Sequence, residues 1–231
     1  MRITSIIFDL DGVICSTDKY HYKAWKQLSD RLGIYFDEKI NDRLRGVSRM
    51  DSLEIILEKS PIRYSQAEKE AFTEEKNAAY RKLLELMSPE DVLDEIRNVL
   101  KALRENGYAL AIGSSSKNTK LILNRIGLEE YFDAVADGTD IVRSKPDPEV
   151  FLCAAKKLGS KPDECAVVED AKTGITAAKR AGMLAFAFGG DAAGCGIEDY
   201  DLDSFADIFK GLDLFSTTEQ RILRPEQATH R

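Results

Sequence analysis

The chain begins with a strand-like apolar run. Residues 3–8 (Ile-Thr-Ser-Ile-Ile-Phe) are mostly apolar and are followed at once by Asp9. A short, continuous apolar run that ends at a polar residue is typical of a buried β-strand. We therefore predict a first strand over residues 3–8 that ends at Asp9.

A long stretch with helical spacing follows this strand. From about residue 18 to residue 88 apolar positions recur at helical intervals, and no strand-like pattern interrupts them. Ser65 and Glu68 have the spacing of a capping box, which predicts the start of a long helix that continues to Met87. Another helix is predicted to begin near Ser48. The stretch therefore predicts an all-helical block.

After Pro89 helical and strand-like segments alternate, and the helical segments end at glycines, as left-handed helix ends favour. The predicted helices cover 92–103, 148–158 and 171–181, with a shorter one before Gly127, and the predicted strands cover 108–113, 164–168 and 184–188. The glycines are Gly107, Gly127, Gly159 and Gly182. Because helices connect the strands, we expect a parallel sheet that is covered on both faces.

These patterns define a fold class and a domain organisation. The expected fold is α/β, with a Rossmann-like parallel sheet core and an inserted helical cap domain. The core is predicted to comprise residues 1–16 and 89–231, and the cap residues 17–88. The tail from about Ser216 is polar and is expected to be loosely held.

Composition limits the possible functions. The 231-residue chain is 43% apolar and 32% charged, which is ordinary for a globular protein. Its formal net charge is −7, whereas a general nucleic-acid binder needs a basic surface. We therefore expect no nucleic-acid partner. A small phosphorylated substrate remains compatible with this charge, because a local basic pocket can form on an acidic protein.

The N-terminus and the cysteines favour a cytoplasmic protein. Asp9 and Asp11 interrupt the first apolar run too early for a signal peptide, and no stretch approaches the roughly 20 apolar residues that span a bilayer. The four cysteines are Cys15, Cys153, Cys165 and Cys195. Their wide spacing predicts free thiols rather than disulfides or a zinc site. We expect a cytoplasmic monomer without a membrane partner.

Polar residues cluster where the predicted strands end or helices begin. The clusters are Asp9 with Asp11, Ser114 to Asn118, Lys145, and Glu169 with Asp170. Each cluster alone has a structural alternative: a common Asp-x-Asp pair, a simple turn, a solvated lysine and a helix cap. In open α/β sheets, however, ligands bind beyond the carboxyl ends of strands, which is where the clusters converge. Together they indicate a phosphotransferase site.

In this order and spacing the clusters resemble the four motifs of the haloacid dehalogenase superfamily of phosphotransferases. The segment Phe8-Asp9-Leu10-Asp11-Gly12-Val13 is similar to the first motif, and Ser114, Lys145 and Glu169-Asp170 are similar to the second, third and fourth. The resemblance extends to about Gly189, and the helical block is similar to the cap domain of one branch. Within that branch the chain most resembles the β-phosphoglucomutase family.

The resemblance to β-phosphoglucomutases rests on residues in the cap and in the second motif. They are Thr17, Tyr20-His21, Ala24-Trp25, Arg45-Gly46-Val47-Ser48-Arg49, Asp51-Ser52, Lys76 and Ser114-Ser115-Ser116-Lys117-Asn118. Arg45 stands where lysine is more usual in the family, and Cys15-Ser16 replaces a more polar or acidic pair. Neither departure touches the four core motifs.

The superfamily resemblance implies phosphoryl transfer through an aspartyl-phosphate. Asp9 would be the nucleophile, and Asp11 the general acid and base. Mg²⁺ would be the cofactor, because it removes the repulsion between a carboxylate and a phosphate and prefers hard oxygen ligands. Its ligands would be Asp9, Asp11 (through the backbone carbonyl), Glu169 and Asp170. Lys145 would neutralise remaining charge while Ser114 hydrogen-bonds the transferring group.

The family resemblance also implies contacts with a sugar phosphate. The implied residues are Thr17, His21, Trp25, Arg45, Gly46, Val47, Ser48, Arg49, Ser52, Lys76, Ser114, Ser115, Ser116, Lys117, Asn118 and Lys145. Arg49 would hold the phosphate that is not transferred, since a planar fork of donors suits a dianion, and Ser116, Lys117 and Asn118 would complete that site.

Several of these residues have structural alternatives. Arg49 is also explained as a surface charge at a helix start. His21 either is a structural residue or controls Asp11 and gating, and Thr17 lies in the linker where the domains would hinge. Trp25 is either a core residue or a wall of the sugar pocket. Lys76 lies on a long, charged helix, where a solvated lysine is equally expected.

The expected reaction, by resemblance, interconverts β-D-glucose 1-phosphate and β-D-glucose 6-phosphate through phospho-Asp9 and β-glucose 1,6-bisphosphate. The nearest alternative is a magnesium-dependent sugar-phosphate phosphatase, in which water attacks phospho-Asp9. A less favoured alternative is a non-catalytic sugar-phosphate sensor. A pure binder does not need both Asp9 and Asp11, which argues against the sensor. Small-molecule sugar phosphates are the expected partners in each case.

Overall fold

The structure is a computed structural model that describes residues 2–44 and 47–222, with side chains described up to residue 215. The chain divides into two compact units. The first comprises residues 1–14, 92–116 and 130–231, and the second comprises residues 15–91 and 117–129. Arg45 and Gly46, two of the predicted sugar-phosphate contacts, lie outside the described residues.

Helices and strands occur in the predicted order. The strands are β1 (Ser5–Phe8), β2 (Ala109–Gly113), β3 (Ala134–Ala136), β4 (Cys165–Glu169), β5 (Leu184–Ala187) and β6 (Tyr200–Asp201). The helices are α1 (Asp18–Arg31), α2 (Glu38–Asp42), α3 (Arg49–Leu57), α4 (Gln66–Leu84), α5 (Asp94–Glu105), α6 (Thr119–Arg125), α7 (Glu149–Leu158), α8 (Lys172–Arg180) and α9 (Ile208–Ile222).

The first unit is built on a six-stranded sheet in the order β3-β2-β1-β4-β5-β6, and each neighbouring pair is parallel. The predicted parallel α/β fold is therefore confirmed. The central strand β1 is buried on both faces, because successive side chains of a strand point to opposite faces and Ile7 and Phe8 are both fully buried. Ile7 lies in a cluster with Phe151 of α7, whereas Phe8 stacks on Phe205 at 5.8 Å between ring centroids.

Glycine ends the helices as predicted. Gly107, Gly127, Gly159 and Gly182 all have positive φ angles, between 71° and 82°. An L-residue with a side chain rarely adopts this conformation, so the glycines are suited to the turns that lead from each helix to the next segment.

Three elements of the first unit lack a clear sequence signal. The strands β3 and β6 have three and two residues, too short for a periodic pattern to form. Helix α9 was not predicted, and it continues to Ile222, through seven residues of the segment expected to be a loose tail. The remainder of that segment lies outside the described residues.

The second unit is helical, as predicted for residues 18–88. Its hydrophobic core consists of Trp25, Leu28, Ile34, Phe36, Ile40, Leu44, Leu53 and Ile56. The capping box is confirmed: the Ser65 backbone N–H donates to Glu68 Oε2 (2.7 Å) and the Glu68 N–H donates to Ser65 Oγ (3.4 Å). Helix α4, which begins there, ends at Leu84 rather than at Met87.

Among the helices that the structure describes, none is both long enough and apolar enough to cross a membrane. The four cysteines are free thiols, as predicted.

Candidate active site

Three of the predicted clusters meet at one edge of the sheet. Strand β1 lies between β2 and β4, with Phe8 opposite Ile112 on one side and Val168 on the other. Asp9 follows β1, and its backbone N–H donates to the carbonyl of Val168 (2.9 Å). Ser114 directly follows β2, and Glu169 is the last residue of β4. The carboxyl ends of three neighbouring parallel strands therefore carry the candidate chemistry.

Lys145 joins this cluster from the irregular segment before α7. Its ammonium donates to Asp9 Oδ1 and to Glu169 Oε1, and it lies 4.8 Å from the centroid of the Phe151 ring. Burial alone lowers a lysine pKa, but the two carboxylates outweigh burial here and raise the pKa of Lys145. Lys145 is therefore a fixed positive charge beside the candidate nucleophile, rather than a solvated lysine.

Glu169 and Asp170 add negative charge beside Lys145. Glu169 is 1% exposed, and its Oε2 accepts the Ala171 N–H (2.8 Å). Burial, followed by the charges of Glu169, Asp9 and Asp11, raises the pKa of Asp170 to about 8. Four carboxyl groups thus act on one another here, and Lys145 compensates only part of their charge.

Two glycines make room for these carboxylates. Gly12 has φ of 90°, and a Cβ at this position would collide with the carboxylate of Asp170. A Cβ at Gly174, on α8, would collide with the side chain of Glu169. The sequence indicated Gly12 only as part of the first motif and did not indicate Gly174, because only tertiary packing brings α8 against Glu169.

The serines after β2 are placed by backbone contacts. The Ser114 N–H donates to the Ala136 carbonyl (3.1 Å), and the Ser116 N–H donates to Ser114 Oγ (3.3 Å). Ser115 Oγ is buried and has no hydrogen-bond partner among the residues that the structure describes. A buried hydroxyl without a partner is costly, so a ligand oxygen that accepted from Ser115 would remove this cost.

The predicted magnesium ligands fit a divalent cation by donor type and by charge. Asp9, Glu169 and Asp170 offer the hard oxygen donors that Mg²⁺ prefers, and the charges of Glu169, Asp9 and Asp11 add to burial in raising the pKa of Asp170. Within the described residues, no three or more His, Cys, Asp or Glu side chains are grouped closely enough to hold a metal ion. The ligand set predicted from the sequence therefore stays a prediction.

In the second unit, Lys76 of α4 contacts two of the predicted residues. It is 2% exposed, its Nζ donates to Nδ1 of His21 (2.8 Å), and it lies 4.7 Å from the ring centroids of both Trp25 and Tyr80. Burial, then the charges of Lys76 and Arg49, lowers the pKa of His21 well below its usual value. Lys76 is therefore not a solvated surface lysine, and His21 stays neutral.

Thr17 and Trp25 are part of the packing of the second unit. Thr17 is fully buried, and its Oγ1 accepts a hydrogen bond from the Tyr80 hydroxyl (3.0 Å). Trp25 is 2% exposed and belongs to the hydrophobic core, which matches the structural alternative for this residue. Tyr80 was not predicted as part of this cluster, because an aromatic residue on a helix normally indicates core packing.

The segment with Arg49 forms the start of α3. Ser48 is the N-cap, since its Oγ accepts the Asp51 N–H (3.2 Å) and donates to Asp51 Oδ2 (2.6 Å). Arg49 is the first helical residue, its side chain is 31% exposed, and its Nη1 lies 3.8 Å from Glu74 Oε1. Val47 is exposed and Ser52 is buried. Ser48 therefore has a capping role that the resemblance did not imply.

Asn118 has protein partners at both ends of its amide. Its Oδ1 accepts from Arg81 (3.1 Å) and its Nδ2 donates to Asn77 Oδ1 (3.2 Å), both on α4. Asn118 and the exposed Lys117 belong to the second unit, whereas Ser114 to Ser116 belong to the first. The predicted second-motif cluster is thus divided by the unit boundary.

Comparisons with known proteins agree with this fold and with these motifs. A haloacid dehalogenase-like hydrolase family model matches residues 3–182. The chain belongs to this family of enzymes. It is 42% identical to the β-phosphoglucomutase of Bacillus subtilis strain 168, over 80% of this chain and 83% of that protein.

Other relatives include both mutases and phosphatases. A crystal structure of the β-phosphoglucomutase from Clostridium difficile superposes with a TM-score of 0.82 at 36% identity, covering 96% of this chain and all of that one. A phosphorylated carbohydrates phosphatase of Thermotoga maritima is 31% identical, over 78% of this chain and 82% of that protein. The family resemblance inferred from the motifs is confirmed, and the chain resembles β-phosphoglucomutases within it.

Proposed function

We propose that the protein is a phosphomutase that interconverts β-D-glucose 1-phosphate and β-D-glucose 6-phosphate through phospho-Asp9. The observation that carries this proposal is the position of Asp9, which follows the central strand and lies against the Lys145 ammonium. A carboxylate so placed can attack a phosphoryl group whose charge a neighbouring cation offsets. The 42% identity to a β-phosphoglucomutase supports the choice of reaction.

Each residue has a defined role in this proposal. The Asp9 carboxylate attacks the phosphoryl group, and Lys145 offsets the charge that builds up on it. Asp11 passes a proton to or from the sugar oxygen as general acid and base. β-Glucose 1,6-bisphosphate then reorients, and Asp9 takes back the other phosphate. Arg49, with Lys117 and Asn118, binds the phosphate that is not being transferred.

Magnesium belongs to the same proposal. Asp9, Glu169, Asp170 and the Asp11 carbonyl would hold it, and when bound it would supply the positive charge that lets two anions approach each other. The negative charges of Glu169, Asp9 and Asp11, which act on Asp170 in addition to burial, support a cation at this position. Sugar phosphates are the proposed substrates. The free cysteines support a cytoplasmic location, and the monomeric state stays a prediction.

The alternative is a sugar-phosphate phosphatase of the same family. It is favoured by one specific observation, the 31% identity to a phosphorylated carbohydrates phosphatase. The two reactions share phospho-Asp9 and differ in what takes the phosphate from it: a sugar hydroxyl in the mutase and water in the phosphatase.

One incubation separates the two reactions. The protein is mixed with β-glucose 1-phosphate, magnesium and a trace of the 1,6-bisphosphate, and glucose 6-phosphate and free phosphate are both followed. We expect glucose 6-phosphate to form, with less than one free phosphate released over many turnovers. In excess chelator we expect no turnover. Free phosphate that rises in step with substrate loss would establish the phosphatase, and full activity with chelator would refute the magnesium assignment.

A further inference from the structure

Glu149 holds the chain just before Lys145. It is the first residue of α7, and each of its carboxylate oxygens accepts one backbone N–H from the loop. Oε1 accepts the Val142 N–H (3.0 Å) and Oε2 accepts the Arg143 N–H (3.0 Å). The Arg143 guanidinium also approaches Oε2, at 3.4 Å from Nε. One carboxylate therefore ties two consecutive amides to the helix, two residues before Lys145.

The N-terminal part of α7 also contacts the Lys145 side chain. Phe151, two residues beyond Glu149, is fully buried, and its ring lies 4.8 Å from the Lys145 ammonium. Phe151 is held against the sheet, because a Cβ at Gly113 of β2 would lie only 2.8 Å from its ring. The first turn of α7 thus offers two supports, an acceptor for the loop backbone and an aromatic face for the cation.

The loop has other contacts near Lys145: Arg180 Nη1 donates to the Pro146 carbonyl (3.0 Å), and Arg143 pairs with Asp147 (3.3 Å). Residues 141–148 contain no regular secondary structure, Val142 is 93% exposed and the Arg143 side chain is 70% exposed. The Asp147 N–H donates to the Ser144 carbonyl (3.1 Å), which closes the turn after these residues. On the N-terminal side of Lys145 the two amide bonds to Glu149 hold the exposed backbone, and a charged acceptor for two amides is a strong anchor.

We propose that Glu149 is a positioning residue for phosphoryl transfer, which acts by fixing the loop that carries Lys145 so that the ammonium lies against Asp9. This proposal rests on the proposed function, since it concerns phosphorylation of Asp9. The two amide bonds also lower the pKa of Glu149, which keeps its carboxylate charged at neutral pH. Glu149 itself touches neither Asp9 nor the reacting atoms; its effect passes through Lys145.

Glu149→Gln is the informative variant. Glutamine keeps the size of the side chain but offers one acceptor instead of two, so one amide faces an NH₂ group instead of an oxygen. The maximal rate of Asp9 phosphorylation by acetyl phosphate, followed by rapid quenching and mass spectrometry, should fall about tenfold to a hundredfold. Arg143→Gln is the matched control, because it removes the guanidinium but leaves both amide bonds. Its rate should stay within about twofold of wild type.

A double-mutant cycle separates positioning from simple stabilisation. In a Lys145→Ala background, Glu149→Gln should have little further effect on the phosphorylation rate or on the affinity for inorganic phosphate. The affinity for inorganic phosphate can be measured even if the Lys145→Ala variant is phosphorylated too slowly to follow. The same loss in both backgrounds, or no loss in the single variant, would overturn the proposal. If wild type is not phosphorylated on Asp9 at all, it is the proposed function that fails instead.

Discussion

The two units each bury a lysine, and they surround it in opposite ways. In the first unit Lys145 lies against the carboxylates of Asp9 and Glu169. In the second unit Lys76 donates to the imidazole of His21 and lies over the rings of Trp25 and Tyr80. The printed contacts of Lys145 are therefore with negative charges, whereas those of Lys76 are with a neutral imidazole and aromatic faces.

The pKa shifts near the two lysines share burial as their largest cause and differ in the sign of the neighbouring charges. Burial, followed by neighbouring negative charges, raises the pKa of Asp170 to about 8, whereas burial, followed by neighbouring positive charges, lowers the pKa of His21. The negative charges around Asp170 suit a cation, and the positive charges around His21 suit an anion.

The largest expected effect comes from removing the attacking charge of the first unit. Asp9→Asn keeps the shape of the side chain but not its nucleophilic carboxylate, so turnover should fall by several orders of magnitude, on the scale of about 10⁴-fold or more. Circular dichroism should report an unchanged fold. In wild type, rapid quenching and mass spectrometry should find phosphate on the peptide that contains Asp9. Phosphate on another residue would contradict the mechanism.

The second prediction concerns the positive charge of the second unit. Arg49→Ala should lower the efficiency of glucose 6-phosphate formation about tenfold to a hundredfold for each charged hydrogen bond lost. Phosphorylation of Asp9 by acetyl phosphate, which has no second phosphate, should stay nearly unchanged. The decisive quantity is the ratio of these two activities.

Two further variants test the interpretation of Arg49. Arg49→Lys should restore only part of the loss, because an ammonium keeps the charge but not the forked geometry. Arg43→Ala is a matched control, since Arg43 is an exposed arginine of the same unit that pairs with Glu58. It should change neither activity. Equal losses of both activities in Arg49→Ala would mean that Arg49 supports structure instead.

The smallest expected effect is a pH dependence of stability. The lowered pKa of His21 means that the unfolded chain binds a proton below about pH 6.5 while the folded protein does not. Stability should therefore fall as the pH drops below about 6.5, by up to about 1.4 kcal/mol per pH unit from this group. The free energy of unfolding, measured by urea denaturation between pH 5 and 7, should depend less steeply on pH for His21→Gln than for wild type. Equal slopes would mean that His21 titrates alike in both states.

Short-range signals were sufficient to predict four of the six strands, β1, β2, β4 and β5, and the parallel α/β fold class. The apolar run before Asp9, the glycines after the helices and the capping box at Ser65 are local features, and each was confirmed. Polar residues at strand ends could be combined into a site because parallel strands bring their carboxyl ends to one edge. This inference needs only the order of helices and strands along the chain.

Contacts made through tertiary packing could not be predicted in this way. The collision that makes Gly174 necessary depends on where α8 lies against Glu169. The roles of Tyr80, which donates to Thr17, and of Glu149, which binds two loop amides, depend on side chains that meet only in the folded chain. Ser48 had a local signal, three residues before Asp51, but its resemblance to a family motif obscured its capping role.

The central position of β1 has a consequence for how the chain folds. Its partners on either side, residues 109–113 and 165–169, are both distant in sequence, so closing the sheet carries a large loop-closure cost. During synthesis the first strand is made early, but one of its edges stays without a hydrogen-bonded neighbour until Glu169 has emerged from the ribosome. A nascent chain that stops before Cys165 therefore presents an open strand edge, which is the kind of surface on which chains aggregate.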